Sequence, residues 1–215
     1  MSLQNKNELK QQLVDGIAAL QLSLEDAQVE QLLSYLGLLI KWNSVYNLTS
    51  IRDPKAMIKQ HLLDSLAVVH AFKDAKNVLD VGSGGGLPGM LLAIVYPQTK
   101  LSMIDIVHKK TAFLNQVKAE LGLKNVTVYT GRVEVLEVPE LFDIITSRAF
   151  SELSNFINWS AHLLQAGGRF IAMKGVAPNQ EIEVLPSPWQ VDHLEVIHVP
   201  TLEAERHLVF LNNIL

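Results

Sequence analysis

Residues 78–89, which read VLDVGSGGGLPG, decide the fold of this chain. The apolar run 78–81 is typical of a buried strand, and the glycines after it end that strand and lead into a helix predicted over 87–95, with Pro88 in its first turn. Glycine allows a close approach of the backbone to a ligand, and the amide groups at a helix start bind anions. The segment therefore predicts a nucleotide-binding turn; a merely flexible glycine-rich turn is the alternative.

Strands and helices alternate on the carboxyl-terminal side of this turn. The predicted strands are 78–81, 101–104, 126–129, 142–146 and 169–173, and the helices between them are 87–95, 109–121 and 152–164. Strands that are apolar on both faces predict a parallel sheet covered by helices on both sides. The segments 191–199 and 207–211 have no helix between them and predict a terminal antiparallel hairpin.

Helical patterns fill the chain before residue 77. Apolar residues recur at helical spacing from Leu9 to Leu20, and Ser23 is interpreted as the N-cap of a second helix. Asp53 and Pro54 are typical of an N-cap and a first helical residue, and they predict a third helix. We therefore divide the chain into a helical extension, 1–76, and an α/β domain, 77–215.

Composition excludes several classes of protein. With 48% hydrophobic and 19% charged residues the chain is neither disordered nor a membrane protein. No apolar run approaches the roughly 20 residues of a membrane span and the start is too polar for a signal peptide, so we expect a cytoplasmic protein, and a monomer. The chain lacks cysteine and its seven histidines lack ligand spacing, so we expect no metal site.

The glycine-rich turn alone leaves the cofactor open. Residues 84–89 also match the G-x-G-x-x-G pattern of dinucleotide-binding proteins. Asp105, at the end of the next strand, could accept hydrogen bonds from a ribose in either class of protein, or it could cap the following helix. A dehydrogenase needs a sixth parallel strand or a substrate domain, whereas a terminal antiparallel hairpin is typical of a Rossmann-like class I S-adenosylmethionine-dependent methyltransferase with a mostly parallel seven-stranded sheet. We expect the latter.

Further motifs point to one family. They are Asn47-Leu48-Thr49, His61-Leu62-Leu63-Asp64-Ser65, the loop 82–89, Arg132-Val133-Glu134, Ser147-Arg148-Ala149-Phe150, Lys174-Gly175 and Glu205-Arg206-His207-Leu208. From about residue 43 onward the chain resembles the bacterial ribosomal RNA small subunit methyltransferase G family, also called glucose-inhibited division protein B. The resemblance implies an rRNA-processing enzyme that transfers a methyl group from S-adenosylmethionine to N7 of a guanine in the 530 loop of 16S rRNA, with that rRNA or the small ribosomal subunit as its partner.

The resemblance also implies cofactor-binding positions, to which the glycine loop and the strand ends add two more. By motif these positions are Gly82, Leu87, Val133, Glu134 and Arg148, and by their place in the predicted sheet they include Gly84 and Asp105. Arg148 is also the candidate catalytic residue, because an arginine in this crevice can hold a phosphate or a carboxylate through two N–H groups. The chain departs from the family after Asp105, where Ile106, Val107 and His108 precede two lysines.

Methyl transfer to guanine N7, the reaction that the resemblance implies, depends on alignment of the base more than on proton transfer. This nitrogen has an in-plane lone pair and no proton to lose, so the sequence predicts no general base. His61 and His207 are interpreted as structural residues, or as residues that face RNA.

A net charge of −4 excludes RNA binding by overall attraction, so any RNA surface must be local. Residues 41–76 hold six basic and three acidic side chains, although an ordinary solvated face would look the same. The candidate RNA-binding residues are Lys55, Lys59, Lys109, Lys110, Lys174 and Arg206.

Three other functions remain open from the sequence. They are an S-adenosylmethionine-dependent methyltransferase that acts on a small molecule or a protein, a nicotinamide-dependent oxidoreductase, and a nucleotide-binding module without catalysis. The acidic balance of the chain favours the first.

Overall fold

Seven strands form a mixed sheet within residues 3–213, the part of the chain that the computed structural model describes. The strands are β1 Asn77–Val81, β2 Lys100–Asp105, β3 Val126–Thr130, β4 Phe142–Arg148, β5 Leu164–Lys174, β6 Trp189–Val196 and β7 His207–Asn213. Their order is β3-β2-β1-β4-β5-β7-β6. Neighbours from β3 to β5 are parallel, and β7 is antiparallel to both β5 and β6. The predicted parallel sheet and terminal hairpin are confirmed.

Helices cover both faces of this sheet. They are α1 Leu3–Ala19, α2 Asp26–Tyr46, α3 Pro54–Met57, α4 Asp64–Leu66, α5 Gly89–Val95, α6 His108–Glu120, α7 Leu153–Ser160 and α8 Asn179–Glu183. Side chains that alternate along β1 enter two different cores: Val78 joins the core with α1, α2, α5 and α6, and Leu79 joins the core with α7. Because α1 and α2 share a core with the sheet, they are packed as part of the same body. The division of the chain at residue 76 stays a prediction.

Among the strands, β5 begins at Leu164 rather than at residue 169, and β6 ends at Val196 rather than at residue 199. Three predicted helix boundaries are also wrong by two residues or more. The N-cap of α2 is Glu25 rather than Ser23, and the Glu25 N–H donates to Gln28 Oε1 at 2.9 Å. Helix α5 begins at Gly89 because Leu87 and Pro88 belong to the turn before it. The helix predicted over 152–164 ends at Ser160, since the chain enters a 3₁₀ turn there and pairs with β4 from Leu164 onward.

The third predicted helix is interrupted by a π-helical segment, Ile58–Leu63, which links α3 to α4. Its start is as predicted, because the Asp53 carboxylate accepts a hydrogen bond from the Ala56 N–H at 2.8 Å. No helix within residues 3–213 is long and apolar enough to span a bilayer.

Candidate active site

The glycine-rich loop leaves β1 in a left-handed backbone. The φ angles of Gly82, Gly84 and Gly86 are +68°, +57° and +89°. A Cβ on Gly82 would lie 2.4 Å from Cδ2 of Phe150, whereas a Cβ on Gly84 would meet nothing closer than the Gly82 carbonyl oxygen at 3.8 Å. Gly82 is therefore packed, and Gly84 faces open space where a ligand can approach the backbone.

Two carboxylates hold this loop. The Gly89 N–H donates to Asp80 Oδ2 at 3.1 Å, and the Gly84 N–H donates to Asp105 Oδ2 at 3.0 Å. The other oxygen of Asp105 accepts a hydrogen bond from the Val107 N–H, and α6 starts only after Val107. Asp105 therefore organises the loop and does not cap α6.

Asp80 is a site residue that the sequence interpretation placed only as part of a strand. It is fully buried, and its Oδ1 atom accepts no hydrogen bond from the described residues. Burial raises the pKa of Asp80 to about 7, although the hydrogen bond from Gly89 works in the opposite direction. A carboxyl with this pKa changes its charge near neutrality.

Helix α2 supplies a third support for the loop. The hydroxyl of Tyr35, a buried residue, donates to the Gly85 carbonyl oxygen at 2.6 Å, and burial raises the pKa of this hydroxyl well above its ordinary value. The sequence interpretation missed Tyr35. The one available signal was a phenol among the leucines of the apolar helix face, where a buried hydroxyl needs a partner.

A cavity of about 370 Å³ lies between the loop and the carboxyl ends of β2 and β3. We call it the acidic cavity, because Asp105 and Glu134 line it together with Ile106, Val133 and Phe150. The Glu134 backbone N–H lowers the pKa of the Glu134 carboxyl, and Arg132 adds to this effect through a 2.6 Å hydrogen bond. The cavity therefore combines apolar walls with a carboxylate, a lining that suits a nucleoside.

A second cavity, of about 540 Å³, adjoins the first and shares Gly82, Lys110 and Ala149 with it. We call it the arginine cavity, because Arg148 and Arg206 line it. Its walls include the loop residues Gly84 and Leu87. The N-terminal segment also contributes to the lining, through Leu39, Leu48, Thr49, Gln60, His61 and Asp64.

The two arginines of this cavity share one partner. Arg148 Nη1 donates to Asp64 Oδ2 at 3.1 Å and to the Gln60 carbonyl oxygen at 3.3 Å. Arg206 Nε donates to Asp64 Oδ1 at 2.5 Å. The Asp64 side chain is only 3% exposed.

The two histidines near the site are held by other residues. Since a carbonyl oxygen only accepts, His61 Nδ1–H donates to the Gln60 carbonyl, and Nε2 then accepts from the Thr49 hydroxyl at 2.8 Å. Burial, followed by the charge of Arg148, lowers the pKa of His61 to about 4. His207 Nδ1 donates in the same way to the Gly175 carbonyl at 2.8 Å. These contacts support the structural interpretation of both residues.

The candidate RNA-binding residues divide into two sets. Lys110, Lys174 and Arg206 line the arginine cavity, where carboxylates hold them: Asp105 at 3.3 Å, Glu181 at 2.7 Å and Asp64. Lys55, Lys59 and Lys109 do not line either cavity; Lys55 pairs with Glu8 of α1 at 2.8 Å, and Lys109 is exposed. An RNA contact of any of the six stays a prediction.

No cluster of three or more His, Cys, Asp or Glu side chains in residues 3–213 is arranged to hold a metal ion.

The strand order, the antiparallel seventh strand and the glycine loop beside two joined cavities define a Rossmann-like class I methyltransferase fold. The fold resembles that of an O-methyltransferase from Bacillus cereus in complex with SAH, at a TM-score of 0.57 and 16% identity, covering 83% of this chain and 90% of that one. It also resembles TrmN from Thermus thermophilus, at a TM-score of 0.55 and 16% identity, covering 73% of this chain and 53% of that one. At such identities the likeness shows the fold alone.

Sequence comparison identifies the family. The model of the rRNA small subunit methyltransferase G family, GidB, matches residues 28–209, and the chain belongs to this family. A Ribosomal RNA small subunit methyltransferase G of Janthinobacterium sp. (strain Marseille) is 62% identical over 203 residues, 93% of this chain and 92% of that protein. A relative of the same name from Burkholderia ambifaria (strain MC40-6) is 55% identical over 211 residues, 95% of this chain and 92% of that protein. The resemblance seen in the motifs is confirmed.

The residues present fit S-adenosylmethionine, the cofactor of this family. Gly84 leaves room over the loop, Val133 and Glu134 line the acidic cavity, and Arg148 lines the adjoining one. We expect the nucleoside part of the cofactor beside Glu134 and its methionine part towards Arg148. Asp105 already binds two backbone N–H groups and Lys110, so its predicted contact with the ribose has to use the remaining lone pair of its carboxylate.

Replacing Gly84 tests whether the open space over the loop is the cofactor site. Gly84→Val should weaken the binding of S-adenosylmethionine at least about tenfold, because its side chain would occupy that space. Gly122→Val is the matched control: Gly122 has a φ of +65°, a Cβ there would also meet nothing within 4 Å, and it lies in neither cavity. Titration calorimetry measures both affinities. Equal affinities in the two variants would contradict the assignment of the site.

The buried Asp80 carboxyl predicts a pH dependence of stability. Its pKa is about 7 in the folded protein and its ordinary value is 3.8, so the folded state holds the proton more tightly. The protonated Asp80 carboxyl therefore stabilises the folded state fully below about pH 3.8, and this stabilisation is lost as the pH rises through about 7. Asp80→Asn keeps an acceptor for Gly89 but does not titrate.

The measurement is the free energy of unfolding in denaturant, for both proteins, from about pH 4 to about pH 8. The wild-type value should fall relative to that of Asp80→Asn as the pH rises. His61, with a lowered pKa, works in the opposite direction in both proteins, and its effect cancels in the difference. Parallel curves would show that Asp80 does not hold a proton in this range.

Proposed function

We propose that this protein transfers a methyl group from S-adenosylmethionine to N7 of a guanine in the 530 loop of 16S rRNA. The observation that carries the proposal is the pair of joined cavities at the glycine loop, in a chain of the rRNA small subunit methyltransferase G family. The acidic cavity has the lining for a nucleoside, and the arginine cavity has the room and the cationic groups for an incoming nucleotide. The choice of N7 and of the 530 loop rests on the resemblance of the motifs.

The state of His61 supports an acceptor that loses no proton. S-adenosylmethionine supplies an electrophilic methyl group on a positively charged sulfur. Guanine N7 offers a lone pair in the plane of the ring, so the protein has to align the base rather than deprotonate it. His61 is a poor general base, because its Nε2 lone pair already accepts a hydrogen bond from Thr49 and its pKa is lowered to about 4.

Arg148 is the residue that we assign to alignment. It stands at the end of β4, where the two cavities meet, and its side chain is 22% exposed. A guanidinium does not act as a base near neutral pH, but it holds a carboxylate or a phosphate at two points. Its role would therefore be to fix the positions of cofactor and nucleotide relative to each other.

The partner that we propose is 16S rRNA or the small ribosomal subunit, met in the cytoplasm by a monomeric enzyme. Since the net charge is −4, contacts with phosphates have to come from local basic groups. Lys55, Lys59 and Lys109 are the candidates outside the two cavities; Lys55 pairs with Glu8, so we assign the phosphate contacts to Lys59 and Lys109. A methyltransferase for a small molecule or a protein is the second candidate function, and the acidic net charge favours it.

Small ribosomal subunits from cells that lack this protein are the substrate for a direct test. Incubation with purified protein and S-adenosylmethionine, followed by nuclease digestion and mass spectrometry, should reveal one 7-methylguanosine in the 530 loop. Arg148→Ala should lower the single-turnover rate by about 100-fold, and Arg148→Lys should restore it only in part, because an ammonium lacks a planar two-point contact. Methylation at another atom or site, or of metabolites alone, would refute the proposed reaction.

The salt dependence of RNA binding tests the basic residues. Lys59→Glu and Lys109→Glu should each weaken binding to the small subunit and reduce the slope of log K against log salt by about 0.7 to 0.9 for each phosphate that the variant no longer neutralises. Lys124→Glu is the control, because Lys124 is exposed and precedes β3. It therefore lies at the amino-terminal ends of the parallel strands, whereas the cavities lie at their carboxyl ends. Cofactor affinity should be unchanged in all three. Slopes equal to that of Lys124→Glu would assign both lysines to an ordinary solvated face.

A further inference from the structure

Asp64 joins two arginines that come from distant parts of the chain. Arg148 is 84 residues away in sequence and Arg206 is 142 residues away, yet each donates to a different oxygen of the Asp64 carboxylate. All three side chains line the arginine cavity. Two guanidinium groups this close repel each other, and the carboxylate between them compensates that repulsion.

The charges on the wall of the arginine cavity are not balanced at Asp64. Lys110 has Asp105 as its partner, and Lys174 has Glu181. Asp64, in contrast, pairs with two guanidinium groups, so Asp64, Arg148 and Arg206 together carry one excess positive charge. An excess cationic charge on the wall of a partly closed cavity suits an anionic group such as a carboxylate or a phosphate.

The π-helical segment Ile58–Leu63 brings Asp64 to this place. It supplies the Gln60 carbonyl oxygen, which accepts from Arg148, and His61, which is anchored to Thr49. Asp64 follows this segment directly, and its own N–H donates to the carbonyl oxygens of Lys59 and His61. π-helical turns inside helices often occur at functional sites, and this one places both acceptors of Arg148 Nη1, the Gln60 carbonyl and the Asp64 carboxylate.

We propose that Asp64 is a positioning residue, which holds Arg148 towards the cofactor carboxylate and Arg206 towards a phosphate of the RNA strand that carries the target guanine. This inference rests on the proposed function. In this arrangement the Nη1 group of Arg148 donates to Asp64 and to the Gln60 carbonyl oxygen, and its Nε and Nη2 groups are left for the ligand among the described residues. Arg206 binds Asp64 through Nε and the Glu205 carbonyl through Nη1, so its Nη2 group can meet a phosphate.

Asp64→Asn tests the proposal, since it keeps the size of the side chain and removes its charge. The single-turnover rate on small subunits should fall by about 100-fold, because the two arginines are no longer held at a fixed separation. Binding to the small subunit should not weaken, and its salt slope should become steeper, because the cavity then has one negative charge fewer. A residue with a structural role alone would lower both the rate and the affinity, together with the unfolding temperature.

Three further variants complete the experiment. Asp64→Glu should recover part of the rate, since it restores the charge at a shifted position. Asp64→Asn should cost less in an Arg206→Gln background than in the wild type, because the part of its effect that passes through Arg206 is already lost there. Glu140→Gln is the control, because Glu140 pairs with Lys100, the first residue of β2, at the opposite edge of the sheet; its rate and salt slope should match those of the wild type.

The outcomes separate this proposal from the proposed function. A wild-type protein that binds S-adenosylmethionine but does not methylate the small subunit overturns the proposed function. A wild-type protein that does methylate it, with an Asp64→Asn variant that is fully active or that loses rate and RNA affinity in parallel, overturns the role of Asp64 alone. If Asp64→Asn does not fold, Arg206→Gln decides: it should reduce the salt slope without changing cofactor affinity, and an unchanged slope refutes the proposal.

Discussion

The backbone at the end of β1 has to turn through left-handed φ angles while it stays open to a ligand, and the rest of the site is arranged around this constraint. Gly82, Gly84 and Gly86 adopt these angles with little steric cost, but glycine loses more conformational entropy on folding than any other residue. Hydrogen bonds from the loop to Asp80 and Asp105 compensate for that loss. The two carboxylates come from adjacent parallel strands, so the sheet itself sets the distance between the anchors.

The N-terminal helices are part of this arrangement rather than an appendage to it. Tyr35 holds the loop through the Gly85 carbonyl oxygen, and it does so from a fully buried position. Thr49, His61 and Asp64 then form a wall of the arginine cavity. A change in the packing of α2 against α5 and α6 would therefore be transmitted to the backbone of the glycine loop. The hydrophobic core that these helices share with the sheet fixes their position relative to the loop.

Sequence reasoning predicted the parts of this protein that are local in the chain. Periodicity located the five parallel strands and the terminal hairpin, because each is a short apolar run with clear limits. All the predicted cofactor positions line one of the two cavities, since the ends of parallel strands meet at the same edge of a sheet. Tyr35 and Asp64 could not be assigned in this way. Their partners lie 50 and 84 residues away, and nothing in the spacing of either pair marks it as a contact.

The pairing of the basic residues also could not be predicted from the sequence. The sequence placed Lys174 and Arg206 with Lys59 and Lys109 as one class of RNA contacts, because charge alone does not reveal whether a cation is already paired. The structure pairs Lys174 and Arg206 with carboxylates at the cavity wall, while Lys109 stays exposed. A paired cation adds little to long-range attraction, but its position is fixed. Under the proposed function, attraction of the RNA and orientation of the nucleotide would therefore be separate tasks. Lys59 and Lys109 would act on the rate and salt dependence of the encounter, and the ion pairs at the arginine cavity would act on the geometry of the bound state.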